Sequence, residues 1–173
     1  MKPLDSTGLK RLHREWRHRT AGRLALVLDN VQSPFNVGAI VRTAEAAGGT
    51  AVILPERRAA GINATVRKAA AGAAAHVPIA RVANVAQAIR SMKKGGIWVA
   101  GATLAPGAVP YTSVDFARDR AIVIGSEGSG ISTLAQRECD ELVAIPMLGK
   151  TGSLNASVAA AILLYEAVRQ RSS

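Results

Sequence analysis

Short apolar blocks alternate with amphipathic blocks along the chain, and this pattern predicts strands and helices in turn. Six short apolar runs are typical of strands buried on both faces, at residues 24–28, 50–54, 77–79, 97–100, 121–124 and 142–145. Helical spacing of apolar residues predicts helices over 37–47, 85–92, 131–139 and 153–171, with a helix or turn over 69–75. The alternation predicts an α/β fold with a mainly parallel sheet flanked by helices.

Glycine-rich or proline-rich turns follow four of the predicted strands. They come directly after Leu28, Ala100, Ile124 and Ile145. Ligands of open parallel sheets bind beyond the carboxyl ends of the strands. We therefore expect these four turns to converge and to form the site of the protein.

Composition and charge point to a polyanionic partner. The 173 residues include 22 Lys and Arg against 12 Asp and Glu, which gives a net charge of +10. A domain this basic favours nucleic acid. Because aromatic residues make up only 3% of the chain, we expect contacts with RNA phosphates rather than base stacking. The predicted RNA-binding residues are Arg17, Arg19, Arg57, Arg58, Arg67 and Lys68.

We predict a basic N-terminal arm at 1–23 and a catalytic domain at 24–173. The basic residues of 10–23 fit either a solvated helix or an arm that binds RNA. A single cysteine, Cys139, excludes an intrachain disulfide, and three scattered histidines give no metal-ligand spacing. No apolar segment resembles a signal or a membrane span, so we expect a cytoplasmic protein without metal or membrane partners.

Two loops carry candidate chemistry. Residues 125–130 read G-x-x-G-x-G, which matches neither the dinucleotide fingerprint nor a Walker loop. The loop is either a simple turn or a site, and Glu127 within it is either a helix-dipole partner or an active-site group. Ser153 and Asn155 lie where a loop becomes a helix, where they either cap the helix or contact a ligand.

Three segments together resemble a known family. They are NVGAIVRTAEAAG at 36–48, IVIGSEGSGI at 122–131 and IPMLGKTGSLNASVA at 145–159. In order and spacing they are similar to the three motifs of the SpoU (TrmH-like) RNA 2'-O-ribose methyltransferases of the SPOUT superfamily. The segment NATVRKAAAGA and the ending YEAVRQR are most similar to the branch that methylates a guanosine of large-subunit rRNA.

This resemblance implies an α/β SPOUT fold with a C-terminal trefoil knot, S-adenosylmethionine as cofactor, and a homodimer. An apolar closing helix that needs two partners agrees with a dimer; its apolar residues are Val158, Ile162, Leu163, Leu164 and Val168. The implied catalytic residues are Arg42, Asn36, Glu127, Ser153 and Asn155. The implied cofactor contacts are Gly125, Ile145, Leu154, Met147 and Thr103.

The implied reaction transfers a methyl group to a ribose 2'-hydroxyl of rRNA or tRNA, at a guanosine. Arginine rarely loses its proton, so we expect Arg42 to bind a flanking phosphate and stabilise the developing alkoxide. Asn36 would orient the ribose or Arg42, Glu127 would hold Arg42 or the asparagine loop, and Ser153 and Asn155 would shape the site.

Two other functions stay open at this point, and so does the way in which RNA docks. One alternative is a non-catalytic RNA-binding or ribosome-assembly module, and the other is a generic nucleotide-binding domain. The branch named above usually carries an N-terminal RNA-binding domain, whereas about 23 residues precede the first predicted strand here. The N-terminal arm and residues 57–68, or a partner, would then dock the RNA.

Overall fold

A parallel sheet of seven strands forms the centre of the molecule. The structure, a computed structural model, describes residues 6–18, 22–57 and 59–172. The strands are β1 (Leu24–Asp29), β2 (Ala51–Pro55), β3 (Ile79–Val82), β4 (Trp98–Ala102), β5 (Val109–Pro110), β6 (Arg120–Gly125) and β7 (Glu141–Ala144). They are ordered β3-β2-β1-β6-β4-β7-β5, and every neighbouring pair is parallel. The predicted α/β class and parallel sheet are confirmed.

Helices cover both faces of this sheet. They are α1 (Ser6–Arg17), α2 (Pro34–Ala46), α3 (Ala64–Ala69), α4 (Val85–Lys94), α5 (Thr133–Glu138) and α6 (Ala156–Arg171). One core contains residues of α2, α3 and α6, and the other contains residues of α1, α4 and α5. Burial on both faces explains why β1 and β2 are apolar without alternation.

Several elements differ from the prediction. Strand β3 is shifted towards the C-terminus, from the predicted 77–79 to Ile79–Val82. The two-residue strand β5 lies in a segment predicted as loop; its Pro110 is tolerated because β5 is an edge strand. Helix α3 overlaps the predicted RNA-docking segment at residues 57–68, for which no helix is predicted. The sequence does not indicate this helix because it is short, buries only Val66 and shows no apolar period. Helix α6 begins at Ala156, with Asn155 as its N-cap, rather than at Ser153.

The N-terminal segment is a docked helix over its described part. Leu9, Leu12 and Trp16 of α1 are buried in the same core as β3 and α4, while Arg14 and Arg17 are exposed. The exposed basic face of α1 is compatible both with a solvated helix and with an arm that binds RNA. The predicted boundary between arm and domain at residue 24 stays a prediction.

Other expectations concern the knot in the chain and the cellular location of the protein. The trefoil knot stays a prediction. Among the described residues, no helix combines the length and the apolar character that a bilayer crossing requires. The cytoplasmic location stays a prediction as well.

Candidate active site

Loops at the carboxyl ends of three strands converge on one cavity of about 290 Å³. Its walls are residues 102–105 after β4, residues 124–130 at the end of β6, and residues after β7 and before α6. The structure brings together all five predicted cofactor contacts against this cavity, namely Thr103, Gly125, Ile145, Met147 and Leu154. Convergence at the carboxyl edge agrees with the general location of ligand sites in parallel sheets.

The loop after β6 is closed tightly on itself and presents Glu127. Ser126 donates its backbone N–H to the Gly130 carbonyl (3.2 Å), and the Gly130 N–H returns to the Ser126 carbonyl (2.9 Å). A Cβ on Gly125 would lie 2.0 Å from the Gly130 carbonyl carbon. Only glycine therefore permits this closure, and the closed loop fixes the backbone of Glu127.

Glu127 gathers two asparagines from distant parts of the chain. The Asn36 amide donates to Glu127 Oε1 (2.8 Å), and the Asn155 amide donates both to Glu127 Oε1 and to Asn36 Oδ1 (3.1 Å for the latter). Ser153 Oγ donates to the Glu127 carbonyl (3.2 Å). Four of the five predicted catalytic residues thus form one cluster.

Two helix starts hold this cluster. Helix α2 begins with Ser33 as N-cap and Pro34 in the first turn, which places Asn36 near its amino end. Asn155 caps α6 because its Oδ1 accepts from the Ser157 N–H (2.9 Å). The Ala156 N–H at the start of α6 also donates to Glu127 Oε1 (3.3 Å). The partial positive charge at the start of α6 favours the carboxylate at this position.

Arg42 does not join the cluster. Its side chain is exposed, and no hydrogen bond or ion pair connects it to another described residue. Six residues separate it from Asn36 on α2, which is about 120° around the helix and about 9 Å along its axis. The resemblance predicts that Glu127 holds either Arg42 or the asparagine loop. In the structure it binds the two asparagines and not Arg42.

The predicted RNA-binding residues are found on the surface where they are described. Arg17, Arg57, Arg67 and Lys68 are exposed. Arg67 also donates to the Ile62 carbonyl (3.4 Å) within its own loop and helix. Arg19 and Arg58 lie outside the described residues.

Sequence reasoning missed a second set of residues beside Glu127. A cavity of about 540 Å³ on the other side of the 126–129 loop is lined by Asn30, Gln32 and Ser33. Asp29 is also absent from the predicted site; it is buried and accepts from the Ser132 N–H (2.7 Å), which ties β1 to the end of the β6 loop. The sequence signal that could have identified these residues is their position directly after the apolar run of a buried strand, where ligand sites form.

Metal ligands are not grouped in the described part of the chain, where no three His, Cys, Asp or Glu side chains form a potential site. Burial raises the pKa of Cys139 to about 12, with further contributions from nearby carboxylates such as Asp140. At neutral pH this thiol is protonated and unreactive.

Comparison with known proteins gives a consistent result. The SpoU rRNA Methylase family matches residues 23–165. A relative from Synechocystis sp., described as an uncharacterized tRNA/rRNA methyltransferase, is 48% identical over 155 residues, which are 90% of this chain and 40% of that protein.

Solved structures of similar proteins agree with the sequence match. The AdoMet-bound rRNA methyltransferase from Sinorhizobium meliloti aligns with a TM-score of 0.82 and 33% identity, covering 91% of this chain and 59% of that chain. A structure described as an RNA 2'-O ribose methyltransferase aligns with a TM-score of 0.79 and 29% identity, covering 90% and 59%. The chain therefore spans less than two thirds of the length of each of these proteins.

Proposed function

The chain belongs to the SpoU rRNA methylase family, and from this premise we propose that it transfers a methyl group from S-adenosylmethionine to a ribose 2'-hydroxyl of rRNA or tRNA, at a guanosine. The observation that carries the proposal is the hydrogen-bonded cluster of Asn36, Glu127 and Asn155, in which Glu127 lines the 290 Å³ cavity. Structural similarity to an RNA 2'-O ribose methyltransferase supports the choice of the ribose oxygen.

The lining of the first cavity fits S-adenosylmethionine. Ile124, Val143, Ile145 and Leu154 offer apolar walls for a flat adenine, and residues 126–130 offer backbone and hydroxyl groups for polar atoms. A pocket of this size and mixed character suits a small ligand, for which volumes of roughly 300 Å³ and above are usual. When bound, the cofactor supplies the activated methyl group.

The residues of the chain then have to align the ribose and stabilise charge on its oxygen. Glu127 Oε1 already accepts from three N–H groups, whereas Oε2 has no partner among the described residues. Oε2 accepts a hydrogen bond from the ribose hydroxyl and orients it. Alignment of this kind contributes roughly 7–11 kcal/mol to lowering a barrier.

Arg42 acts through a phosphate. Its guanidinium is exposed and unpaired within the described residues, and arginine keeps its proton in proteins. It binds an RNA phosphate next to the target nucleotide. As the ribose oxygen takes the methyl group, its proton passes by way of Glu127 Oε2 to water or to that phosphate. The exposed Arg57, Arg67 and Lys68 bind further phosphates, so RNA affinity should fall as salt rises.

The active form is a homodimer built on the exposed faces of α2 and α6. Phe35 is 68% exposed at the start of α2, and Val158 and Tyr165 are 46% and 52% exposed on α6. These two helices pack against each other within one subunit, and we expect their exposed apolar residues to form one patch. Light scattering at micromolar concentration should give twice the subunit mass; a monomer would contradict this part of the proposal.

Two measurements test the reaction. Calorimetry should detect binding of S-adenosylmethionine, with or without RNA; absence of binding in both conditions would favour a non-catalytic RNA-binding module. Mapping of 2'-O-methyl marks on rRNA and tRNA should reveal a guanosine whose mark disappears when the gene is deleted and returns with the wild-type gene but not with Arg42→Ala. A mark that returns in full with Arg42→Ala would remove Arg42 from the mechanism.

A further inference from the structure

The second cavity lies against the wall of the first. Both cavities are lined by residues 126–129, so the loop that carries Glu127 separates them. The second cavity is larger, at about 540 Å³, and its other main wall is the segment that leads from β1 into α2. A group in the second cavity would therefore lie directly across the Glu127 loop from a ligand in the first.

Two side-chain amides at this cavity have no hydrogen-bond partner in the part of the chain that the structure describes. The amides of Asn30 and Gln32 make no hydrogen bond within the described residues, whereas Ser33 accepts from the Asn36 N–H (3.4 Å) and Ser126 and Ser129 bond each other (2.7 Å). Polar groups gathered at a concave surface without internal partners are suited to a ligand.

The backbone conformation of Asn30 is unusual, and it agrees with the position of this residue at the wall of the second cavity. Its φ is +59°, in the left-handed region that residues other than glycine rarely adopt. Asparagine tolerates this conformation better than most residues. The sharp turn takes the chain from the buried β1 onto the wall of the cavity, so strain is retained where the amide is presented.

The charge of the cavity limits what can occupy it. Glu127 is its single ionisable lining residue among those described, so a phosphate would be repelled. A neutral base and ribose have no such penalty. Amides carry a donor and an acceptor side by side, which is the arrangement that pairs with the edge of an unstacked base.

We infer that this second cavity receives the nucleoside that is methylated, and that Asn30 and Gln32 contact the edge of its base. The inference rests on the proposed methyl transfer to RNA, and it names the residues that select the target nucleotide. The ribose then lies at the 126–129 wall, where Glu127 Oε2 reaches it, and the phosphates remain outside on the basic surface.

The first test uses binding rather than activity. Isotope-labelled protein saturated with S-adenosylhomocysteine is titrated with guanosine, and with adenosine, cytidine and uridine as comparisons. The side-chain amide signals of Asn30 and Gln32 should shift with guanosine, while that of Gln87, an exposed residue of α4 outside the cavity, should not. Shifts absent from Asn30 and Gln32 with all four nucleosides would overturn the inference.

The second test uses variants. Asn30→Gly keeps the left-handed backbone and removes the amide, and Gln32→Ala removes the other amide; Gln87→Ala is the matched control. Each cavity variant should raise the KM for RNA by about tenfold, the loss expected for one base contact, with unchanged affinity for S-adenosylmethionine, and the double variant should methylate additional nucleotides.

The results of these tests separate failure of the base-contact inference from failure of the proposed methyl transfer. If the wild-type protein methylates RNA but the cavity variants behave like Gln87→Ala, the base-contact inference is wrong and the proposed function stands. If the wild-type protein binds S-adenosylmethionine but methylates no RNA from cells that lack the gene, the proposed function is wrong and the inference is lost with it.

Discussion

Polar side chains cluster at the amino ends and at the carboxyl ends of the strands. The two clusters differ in how far their hydrogen-bonding groups are accessible to a ligand. At the amino ends, Arg120 is almost fully buried and pairs with Glu141 and with the Asp115 carbonyl. Arg171 donates to four backbone carbonyls around the start of β1 and before β6. These groups hold chain segments together and border no large cavity among those described.

At the carboxyl ends, the cluster of Asn36, Glu127 and Asn155 is more open. Glu127 and Asn155 are exposed, Glu127 Oε2 has no described partner, and a cavity lies on each side of the Glu127 loop. Buried polar groups are normally satisfied internally, and in the amino-end cluster Arg120 Nε is an exception. Groups next to a cavity, by contrast, are accessible to a ligand. We therefore expect the amino-end cluster to stabilise the fold and the carboxyl-end cluster to serve the reaction.

The largest effect should come from the amino-end ion pair. Arg120→Met leaves the Glu141 carboxylate, whose side chain is 28% exposed, without its main partner. An unpaired and partly buried charged group costs about 1–3 kcal/mol of the free energy of unfolding. Urea denaturation measures this loss, while methyl transfer per folded molecule should stay unchanged. The double variant Arg120→Met with Glu141→Leu is the control and should recover most of the stability; failure to recover would mean that the pair is not the source of the loss.

The carboxyl-end cluster should show the opposite pattern. Glu127→Ala removes the acceptor shared by Asn36 and Asn155, and displacement of aligned groups by about 1 Å lowers rates roughly a hundredfold. The free energy of unfolding should change by less than about 1 kcal/mol, since the side chain is exposed. Transfer of labelled methyl groups to RNA from gene-deleted cells measures the rate.

Glu127→Gln serves as the matched control for this variant. Its amide oxygen still accepts from Asn36 and Asn155 but carries no charge, so we expect intermediate activity. Normal methyl transfer by Glu127→Ala would break the comparison, because the carboxyl-end cluster would then be structural too.

Asn155 combines both kinds of role, and two substitutions should separate them. Asn155→Ser keeps a good N-cap for α6 but loses the amide donor to Glu127 and Asn36, so methyl transfer should fall with little change in the free energy of unfolding. Asn155→Ala should lower activity similarly and also lose about 1 kcal/mol of stability. Thermal unfolding and methyl transfer are measured together; equal stability of the two variants would show that capping by Asn155 contributes nothing.

The smallest effect is the pH dependence that His13 gives to the amino-end region. Burial, with repulsion from Arg23 and Arg17, holds the pKa of His13 below its usual value of 6.5. The unfolded chain therefore takes up this proton at a higher pH than the folded chain. The stabilising contribution is complete above about pH 6.5 and is lost as the pH falls through 6.5 towards the lower folded pKa.

Urea denaturation between about pH 7 and pH 5 measures this contribution, in the range where histidines titrate. His13→Gln does not titrate and should show a weaker decline of stability with falling pH. Methyl transfer should be equal for the two proteins at about pH 7.5, where neither side chain is charged. An identical decline in both proteins would assign the pH dependence to other groups.

Local sequence patterns are sufficient to predict a strand when all of its residues are buried. The strands β1, β2 and β6 are central and covered on both faces, so their apolar runs match the observed bounds within one to two residues. Short elements are harder to predict because their stability comes from packing. Helix α3 has six residues and little periodicity, and it depends on close packing where a Cβ on Gly38 would lie 2.4 Å from the Ala69 Cβ.

The sequence alone therefore determined the alternating α/β order, the parallel sheet and the family, and it predicted the residues of the candidate site. Only the tertiary structure decided that Glu127 holds Asn36 and Asn155 rather than Arg42. It also decided that α1 docks on the core shared with α4 and α5, and that Asn30 and Gln32 line a cavity. The physical reason is distance along the chain. Asn36 is 91 residues from Glu127 and 119 from Asn155, and contacts over such separations are set by the order of strands in the sheet rather than by local propensity.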